Sequence, residues 1–497
     1  MLNLSDNINI ESLQRLLLYD PRNPLLFNTG LFLILFVVFL GIYRLLRHAT
    51  TLRKVFVILF SLYFYYKSSA ECCFILLGVC LSDYLLGLWL GSVKANWLRR
   101  SIVALNVCVN VGMLVYFKYF NLLLDTFAGI TGTRFDALDI ILPAGISFFT
   151  FRSISYLVDI YRGHMTPCRN LLDYTFYLTF FPPLLAGPVV RAKDMLPQVR
   201  ENKEATDAMV SEALFLIMMG LVKKVIIADY ISGNFVDRIF DNPSLYSGFE
   251  NLMGCIGFTL QLYCDFSGYS DMAIGLALLL GFRFKPNFDA PFKSQNPTEF
   301  WRRWHISLST WLRDYIYIPL GGNRRGRHRQ HLNLMATMLI GGLWHGASWM
   351  YLLWGGYHGA LLVGHKTLSK VWRAPEILRG TMLLRAVNIT ITFTLVVIGF
   401  AFFRASGPEA LGEMATQIFT DFRPAVAPQF VEAYVMIVAA IAAGYIMHFT
   451  PRTWTTGATR AYASMPLIAQ AVLLSIILFL VIQTRQTDLV PFIYLQY

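Results

Sequence analysis

Long apolar runs separated by short polar stretches recur along the whole chain. A membrane core takes about 20 apolar residues per helix. Runs of that kind lie at 24–43, 54–66, 72–92, 101–117, 138–161, 208–230, 250–281, 332–345, 347–364, 385–403, 431–449 and 464–484. They predict an all-α polytopic membrane protein with about 11–12 transmembrane helices plus re-entrant and interfacial helices. One apolar run departs from the pattern. Residues 171–190 contain FFPPLLAGP, and Pro182-Pro183 followed by Gly187-Pro188 would break a lipid-facing helix. That segment is expected to be re-entrant or buried. With no internal repeat, low-complexity tract or flexible linker, residues 1–497 read as a single transmembrane domain.

The polar stretches carry a second pattern. Lys and Arg collect on the cytoplasmic side of membrane proteins. The connections around Arg44–Lys54, Lys94–Arg100, Arg162–Arg169, Arg283–His331, Lys366–Arg385 and Arg452–Arg460 are basic, whereas 1–22, 119–137, 231–250 and 404–430 lean acidic. With 171–190 taken as re-entrant, the two sets alternate. A multi-pass protein of the cytoplasmic (inner) membrane follows, with N- and C-termini outside. Residues 1–22 are mixed polar and do not read as a cleavable signal. Lys223-Lys224 fit badly, because they sit inside an expected span; that helix is expected to be amphipathic or interfacial.

Composition supports the membrane class. Of 497 residues, 56% are hydrophobic, 15% aromatic and only 14% charged, against about half apolar and a quarter charged in soluble domains. A disordered chain, a disulfide-stapled secreted domain and a soluble nucleic-acid binder are excluded. The net charge of +12 belongs to cytoplasmic loops rather than to a nucleic-acid face. The seven cysteines lie mostly in apolar runs and form no CxxC pair, so they read as small core hydrophobes.

Candidate chemistry concentrates in three places. Residues 282–331 hold ten Lys and Arg against Asp289, Glu299 and Asp314, interleaved with Phe300, Trp301, Trp304, Trp311, Tyr315 and Tyr317. This basic segment is either an interfacial structure anchored by Trp/Tyr and Lys/Arg, or a site whose cations face the phosphates of an acyl-thioester donor. The run QLYCDFSGYSDMAIG (261–275) places Asp265, Ser267, Tyr269, Ser270 and Asp271 inside an apolar segment. Intramembrane charge is costly, and a buried hydrogen-bonded seam between helices explains it as well as function does. The third place is the histidines. His345 lies among small residues in LIGGLWHGASW (339–349), at a tight junction between two apolar runs, and His305 is flanked by tryptophans in WRRWHISLSTW. Each is either a satisfied core residue or a general base whose burial keeps it neutral. His328 and His331 have i, i+3 spacing but no third ligand, so no metal site is expected. GxGxxG, GxxxxGK[ST], HExxH and GxSxG are absent.

Several motifs together resemble one family. LPAGISFFTFRSISYLVDIYRG (142–163), FFPPLLAGPVVR (180–191), GLVKKVIIAD (220–229), QLYCDFSGYSDMAIG (261–275), FWRRWHISLSTWLRDYIYIPLGGNRRG (300–326), GGLWHGASW (341–349) and FIYLQY (492–497) occur in order from about residue 30 to the end. The chain is similar to the membrane-bound O-acyltransferase (MBOAT) superfamily, in the bacterial branch of alginate O-acetylation, peptidoglycan O-acetylation and teichoic-acid D-alanylation proteins. The resemblance implies an MBOAT-like helical fold with a buried catalytic His reached from both faces. That His maps to His345 as general base, and His305 falls on the second polar site as an orienting or oxyanion-stabilising partner. Asp314 in LRDY is a supporting candidate. Arg302, Arg303, Arg324 and Arg325 are candidates for holding the donor. One departure is Pro183, where Gln or a similar residue is expected.

By the same resemblance, no cofactor is bound. An acyl donor such as acetyl-CoA or another acyl thioester is a substrate on the cytoplasmic side. The acyl group crosses the membrane for O-acetylation of an exported, alginate-like polysaccharide, usually with an exported acetyltransferase partner protein. Two other classes remain in view: a polytopic secondary transporter, which broken segments and intramembrane Asp residues also suit, and a scaffold in a secretion complex.

Overall fold

The computed structural model describes residues 17–21, 23–201, 203–371, 377, 380–484 and 492. The expected motif FIYLQY lies outside the described residues apart from Phe492. So do most of 1–22 and part of the basic stretch Lys366–Arg385. Among the described residues every regular element is a helix. The chain divides into two compact units, residues 1–206 with 277–283, and residues 207–276 with 284–497.

Hydrophobic patterning places most of the helices correctly. The expected spans at 24–43, 54–66, 72–92 and 101–117 become helices Gly30–Leu45, Thr50–Ser69, Cys73–Ser92 and Asn96–Leu114. The run Thr50–Ser92 is interrupted by a single 3-10 turn at Ala70–Cys72, where Ala70 has a positive φ of 47°. By length and composition, Thr50–Ser92, Asn96–Thr131 and Met382–Arg404 are long and apolar enough to cross a membrane, or up to five spans if each of two bent helix pairs counts as one. Ile34, Val37, Phe74, Leu85, Ile391 and Ile398 stand exposed on apolar helices, as lipid-facing side chains do.

One expectation about helices is corrected and one is met. The run 138–161 becomes helical only at Ile146–Tyr161, because Pro143 and Gly145 set a turn before it; Gly145 has φ 69°. In 171–190 a short helix, Leu171–Thr179, gives way to a buried irregular turn through Phe180–Pro188. The run is therefore broken where its prolines require, and Pro183 lies inside that turn.

In the first unit this turn is a centre of packing. The Phe181 ring meets Phe27, Phe32, Phe36, Phe39, Phe60 and Phe64 at centroid distances of 5.1–6.5 Å, and its amide donates to Ser61 Oγ at 3.2 Å. A buried carboxylate ties four helices together. Asp83 accepts from Asn106 Nδ2 (2.8 Å), Ser153 Oγ (2.7 Å) and Tyr174 Oη (2.8 Å). Such satisfaction is what permits a carboxylate there, since an unpaired buried charge is expensive.

The second unit contains Asp207–Leu221, continuing as a π-helical turn over Val222–Asp229, and most of Gly248–Leu279. It also contains the helical hairpin Gly326–His345 and Trp349–Val371, and Met382–Arg404. The hairpin closes on small residues: a Cβ on Gly342 would lie 2.3 Å from Tyr351 O, and one on Gly355 would lie 2.5 Å from Met338 O. Only glycine lets the two backbones approach that closely.

The Lys223-Lys224 pair is not interfacial. Lys223 Nζ lies 2.6 Å from Asp271 Oδ2. Lys224 is buried, with Nζ 2.8 Å from Asp229 Oδ1 and paired also with Asp265. The π-helical register aims the adjacent lysines at two carboxylates on the facing helix. The polar residues of QLYCDFSGYSDMAIG are thus a buried seam. Gly220 and Gly268 set its width, since a Cβ on Gly268 would lie 2.8 Å from Gly220 O.

Candidate active site

The segment 282–331 is not one interfacial helix. It folds as short pieces, Pro291–Lys293, Pro297–Arg303 and Ile306–Leu312, followed by a π-helical turn at Arg313–Tyr317. Asn296 caps the second piece by accepting from the Glu299 amide at 2.9 Å, with Pro297 at the first helical position. Trp301, Trp304 and Trp311 are buried rather than anchored in an interface. Trp304 packs against Phe288, Phe300 and Phe400 at 4.9–5.6 Å.

That packing fixes His305, which is fully buried. It sits immediately before Ile306–Leu312 with a left-handed backbone, φ 41° and ψ 57°. The Phe266 ring meets its imidazole edge-to-face at 4.5 Å. His305 lies between two expected spans, and burial pushes its imidazole pKa well below the ordinary value, so it stays neutral at physiological pH.

His345 is the last residue of Gly326–His345, and the next helix begins at Trp349. The tight junction anticipated from the small residues is therefore real, and it turns His345 inward, 3% exposed. Trp344, Trp354 and Phe403 surround the ring at 5.0, 4.9 and 5.3 Å. The two imidazoles lie 6.5 Å apart, centroid to centroid. A low-dielectric cage of this kind is suited to proton transfer by a neutral imidazole.

Residues 168–403 match the profile of MBOAT, the membrane-bound O-acyltransferase family. The probable alginate O-acetylase AlgI of Pseudomonas aeruginosa is 42% identical over 403 residues, covering 80% of this chain and 75% of that one. The peptidoglycan O-acetyltransferase of Helicobacter pylori is 36% identical over 421 residues, covering 78% of each. This chain belongs to the membrane-bound O-acyltransferase family. It is therefore an enzyme, a multi-pass membrane O-acyltransferase. The teichoic acid D-alanyltransferase of Bacillus subtilis is a more distant relative, 27% identical over 270 residues, covering 52% of this chain and 68% of that one. The family match spans both histidines and the aromatic cage.

The remaining candidates scatter around this acyltransferase's histidine pair. Asp314 pairs with its neighbour Arg313 at 2.7 Å. Arg303 is engaged by Glu299 at 2.9 Å and Asp289 at 3.7 Å. Arg302, Arg324 and Arg325 are exposed, and His328 is exposed on the first turn of its helix.

The basic connection that begins at Lys366 supplies two further cations. Lys366 and Lys370 lie at the end of Trp349–Val371, beyond the expected span. Partial burial pulls the Lys366 ammonium pKa down, and the charges of Arg302 and Lys370 pull it down further. Neighbouring cations of this kind favour an anion among them. The sequence reading counted them in a basic connection but missed that Lys366 and Lys370, spaced i, i+4, share one helix face. His358, one turn beyond Trp354, was also missed. It is buried against Trp301 at 5.3 Å and Trp354 at 4.8 Å.

Proposed function

We propose that this acyltransferase moves an acetyl group from a cytoplasmic thioester donor, such as acetyl-CoA, across the inner membrane for O-acetylation of an exported polysaccharide. His345 serves as general base and His305 as its orienting or oxyanion-stabilising partner. The observation that carries the reading is the burial of two imidazoles 6.5 Å apart inside one aromatic cage. Nearby relatives named for alginate and peptidoglycan O-acetylation support an acetyl group and a polysaccharide acceptor.

In this reading His345 takes the proton of the attacking hydroxyl as its oxygen bonds to the acyl carbon. The carbon–sulfur bond breaks, and the thiol leaves with that proton. A base so placed is worth about 10²–10⁴ in rate. The neutral His305 is suited to donate a hydrogen bond to the carbonyl oxygen as it becomes negative. Arg302 and Lys370 are close enough for their charges to act on Lys366, and the three cations suit the phosphates of a thioester donor. The alternating basic and acidic connections support a cytoplasmic donor side and an outside N-terminus. The attacking hydroxyl belongs to an exported acetyltransferase, which passes the acetyl group on to the polysaccharide.

The test is the O-acetyl content of the exported polysaccharide in cells carrying wild-type protein, His345→Ala or His305→Ala, each normalised to its membrane level. Loss of acetyl in His345→Ala at normal protein level is the expected result. Unchanged acetyl content in that strain overturns the assignment.

A further inference from the structure

His305 has a backbone that side-chain-bearing residues avoid. Among the described residues only Ala70, Ala290 and His305 combine a side chain with positive φ. A left-handed L-residue crowds its Cβ against the backbone and persists where its surroundings over-determine it. The chain on both sides of His305 is indeed held. Before it, the Asp289 amide donates to Arg303 O at 2.9 Å; after it, the Ile306 amide donates to Asn287 O at 2.9 Å. Asn287 then adds its side chain. Oδ1 accepts from the Ser307 amide at 3.1 Å and from Ser307 Oγ at 2.9 Å. Nδ2 donates to Ser270 Oγ at 3.3 Å, on the Gly248–Leu279 helix that also supplies Phe266. Asn287 is 1% exposed.

The consequence lies in helix capping. His305 occupies the cap position of Ile306–Leu312, yet its side chain makes no cap hydrogen bond. A cap side chain ordinarily accepts from the second or third amide of its helix. The second amide is that of Ser307, and Asn287 Oδ1 takes it. The imidazole is thereby relieved of capping and turns toward Phe266, Trp344 and His345.

We propose that Asn287 is a positioning residue for catalysis: by capping the Ile306–Leu312 helix from outside it, Asn287 holds His305 in its left-handed conformation and aims the imidazole at His345. This rests on the catalytic reading of the two histidines. Asn287 does not itself meet the reacting groups. A misplacement of about 1 Å in a catalytic group costs about 10²-fold in rate, so Asn287→Ala is expected to lower turnover by at least about tenfold.

The experiment uses the full chain in its native membrane. Alkali-released acetate from exported polysaccharide, per unit of membrane-inserted enzyme, is measured for Asn287→Ala, Asn287→Asp, Ser270→Ala and His305→Ala. Purified wild type and Asn287→Ala are compared by melting temperature and by hydrogen exchange of peptides covering 304–309. Asn287→Ala is expected to lose activity with little change in melting temperature, while exchange rises in that segment. Asn287→Asp, which keeps the acceptor for the Ser307 amide, is expected to recover most of the activity. Full activity in Asn287→Ala, an Asp variant as inactive as the Ala variant, or unchanged exchange at 304–309 overturns the proposal. If Asn287→Ala fails to accumulate, Ser270→Ala decides: a several-fold loss supports the proposal and wild-type activity overturns it. Activity surviving in His305→Ala defeats the catalytic reading itself. An inactive His305→Ala beside a fully active Asn287→Ala defeats only the positioning role.

Discussion

His305 and His345 stand with their rings 6.5 Å apart and tilted by 55°, although each reaches that position by a different local device. His305 is delivered by a left-handed residue ahead of a short helix, His345 by the last turn of a long one. Phe266 meets His305 edge-to-face, and Trp354 does the same for His345, at 4.5 and 4.9 Å. Each ring is thus steered by an aromatic neighbour. On the proposed reading the pair acts as a unit, so its substitutions should not add. His345→Ala is expected to lower acetylation about 10²–10⁴-fold, and His305→Ala about 10²–10³-fold. The double variant should be little worse than His345→Ala alone. Acetate released per unit of membrane protein measures all three.

The Lys224 ion cluster predicts a stability effect of known sign. Removing one member of a buried ionic group strands the others and costs about 3–5 kcal/mol. Lys224→Ala leaves Asp229 and Asp265 buried side by side without their shared cation. It should reduce the membrane level and lower the melting temperature in detergent. Lys224→Met combined with Asp265→Leu and Asp229→Asn removes charge from the whole cluster and should be markedly milder. Equal damage from the single and the triple variant would contradict this.

Close helix approach in the same region gives a matched pair of glycine substitutions. A side chain at Gly268 meets Gly220 O at 2.8 Å, whereas a Cβ on Gly457 meets nothing within 4 Å. Gly268→Leu should force the two helices apart, at a cost of about 1–3 kcal/mol or more. Gly457→Ala lies inside helix Arg452–Ser464 and should stabilise by about 0.5–1 kcal/mol through helix propensity. Melting temperatures of the two purified variants should shift in opposite directions.

The cationic surface around Lys366 predicts a donor effect. Arg302→Glu and Lys366→Glu should each raise the KM for acetyl-CoA in inverted membrane vesicles by about tenfold, the order expected for one charge-assisted hydrogen bond. Added salt should weaken wild-type donor binding and flatten the difference, because exposed charges are screened. A KM that ignores both substitutions would move the donor site elsewhere.

Much of this molecule is set locally, and local features are what a sequence displays. The spans follow from the lengths of apolar runs. The break at 180–188 follows from Pro182-Pro183 and Gly187-Pro188, since a ring without an N–H cannot continue a helix. The inward turn at His345 follows from small residues between two apolar runs. What the tertiary structure alone decided are partnerships between distant positions. Lys223 and Lys224 resemble misfits in a span until Asp271 and Asp265 stand opposite them. The tryptophans of 300–311 resemble interfacial anchors until packing buries them. Asn287 has no signature of its own, because its role is to cap a helix that begins nineteen residues later. Hydrophobic periodicity reports which face of an element is buried. It does not report which other element covers that face, and the pairing of buried charges, the left-handed turn at His305 and the meeting of two imidazoles all depend on that choice.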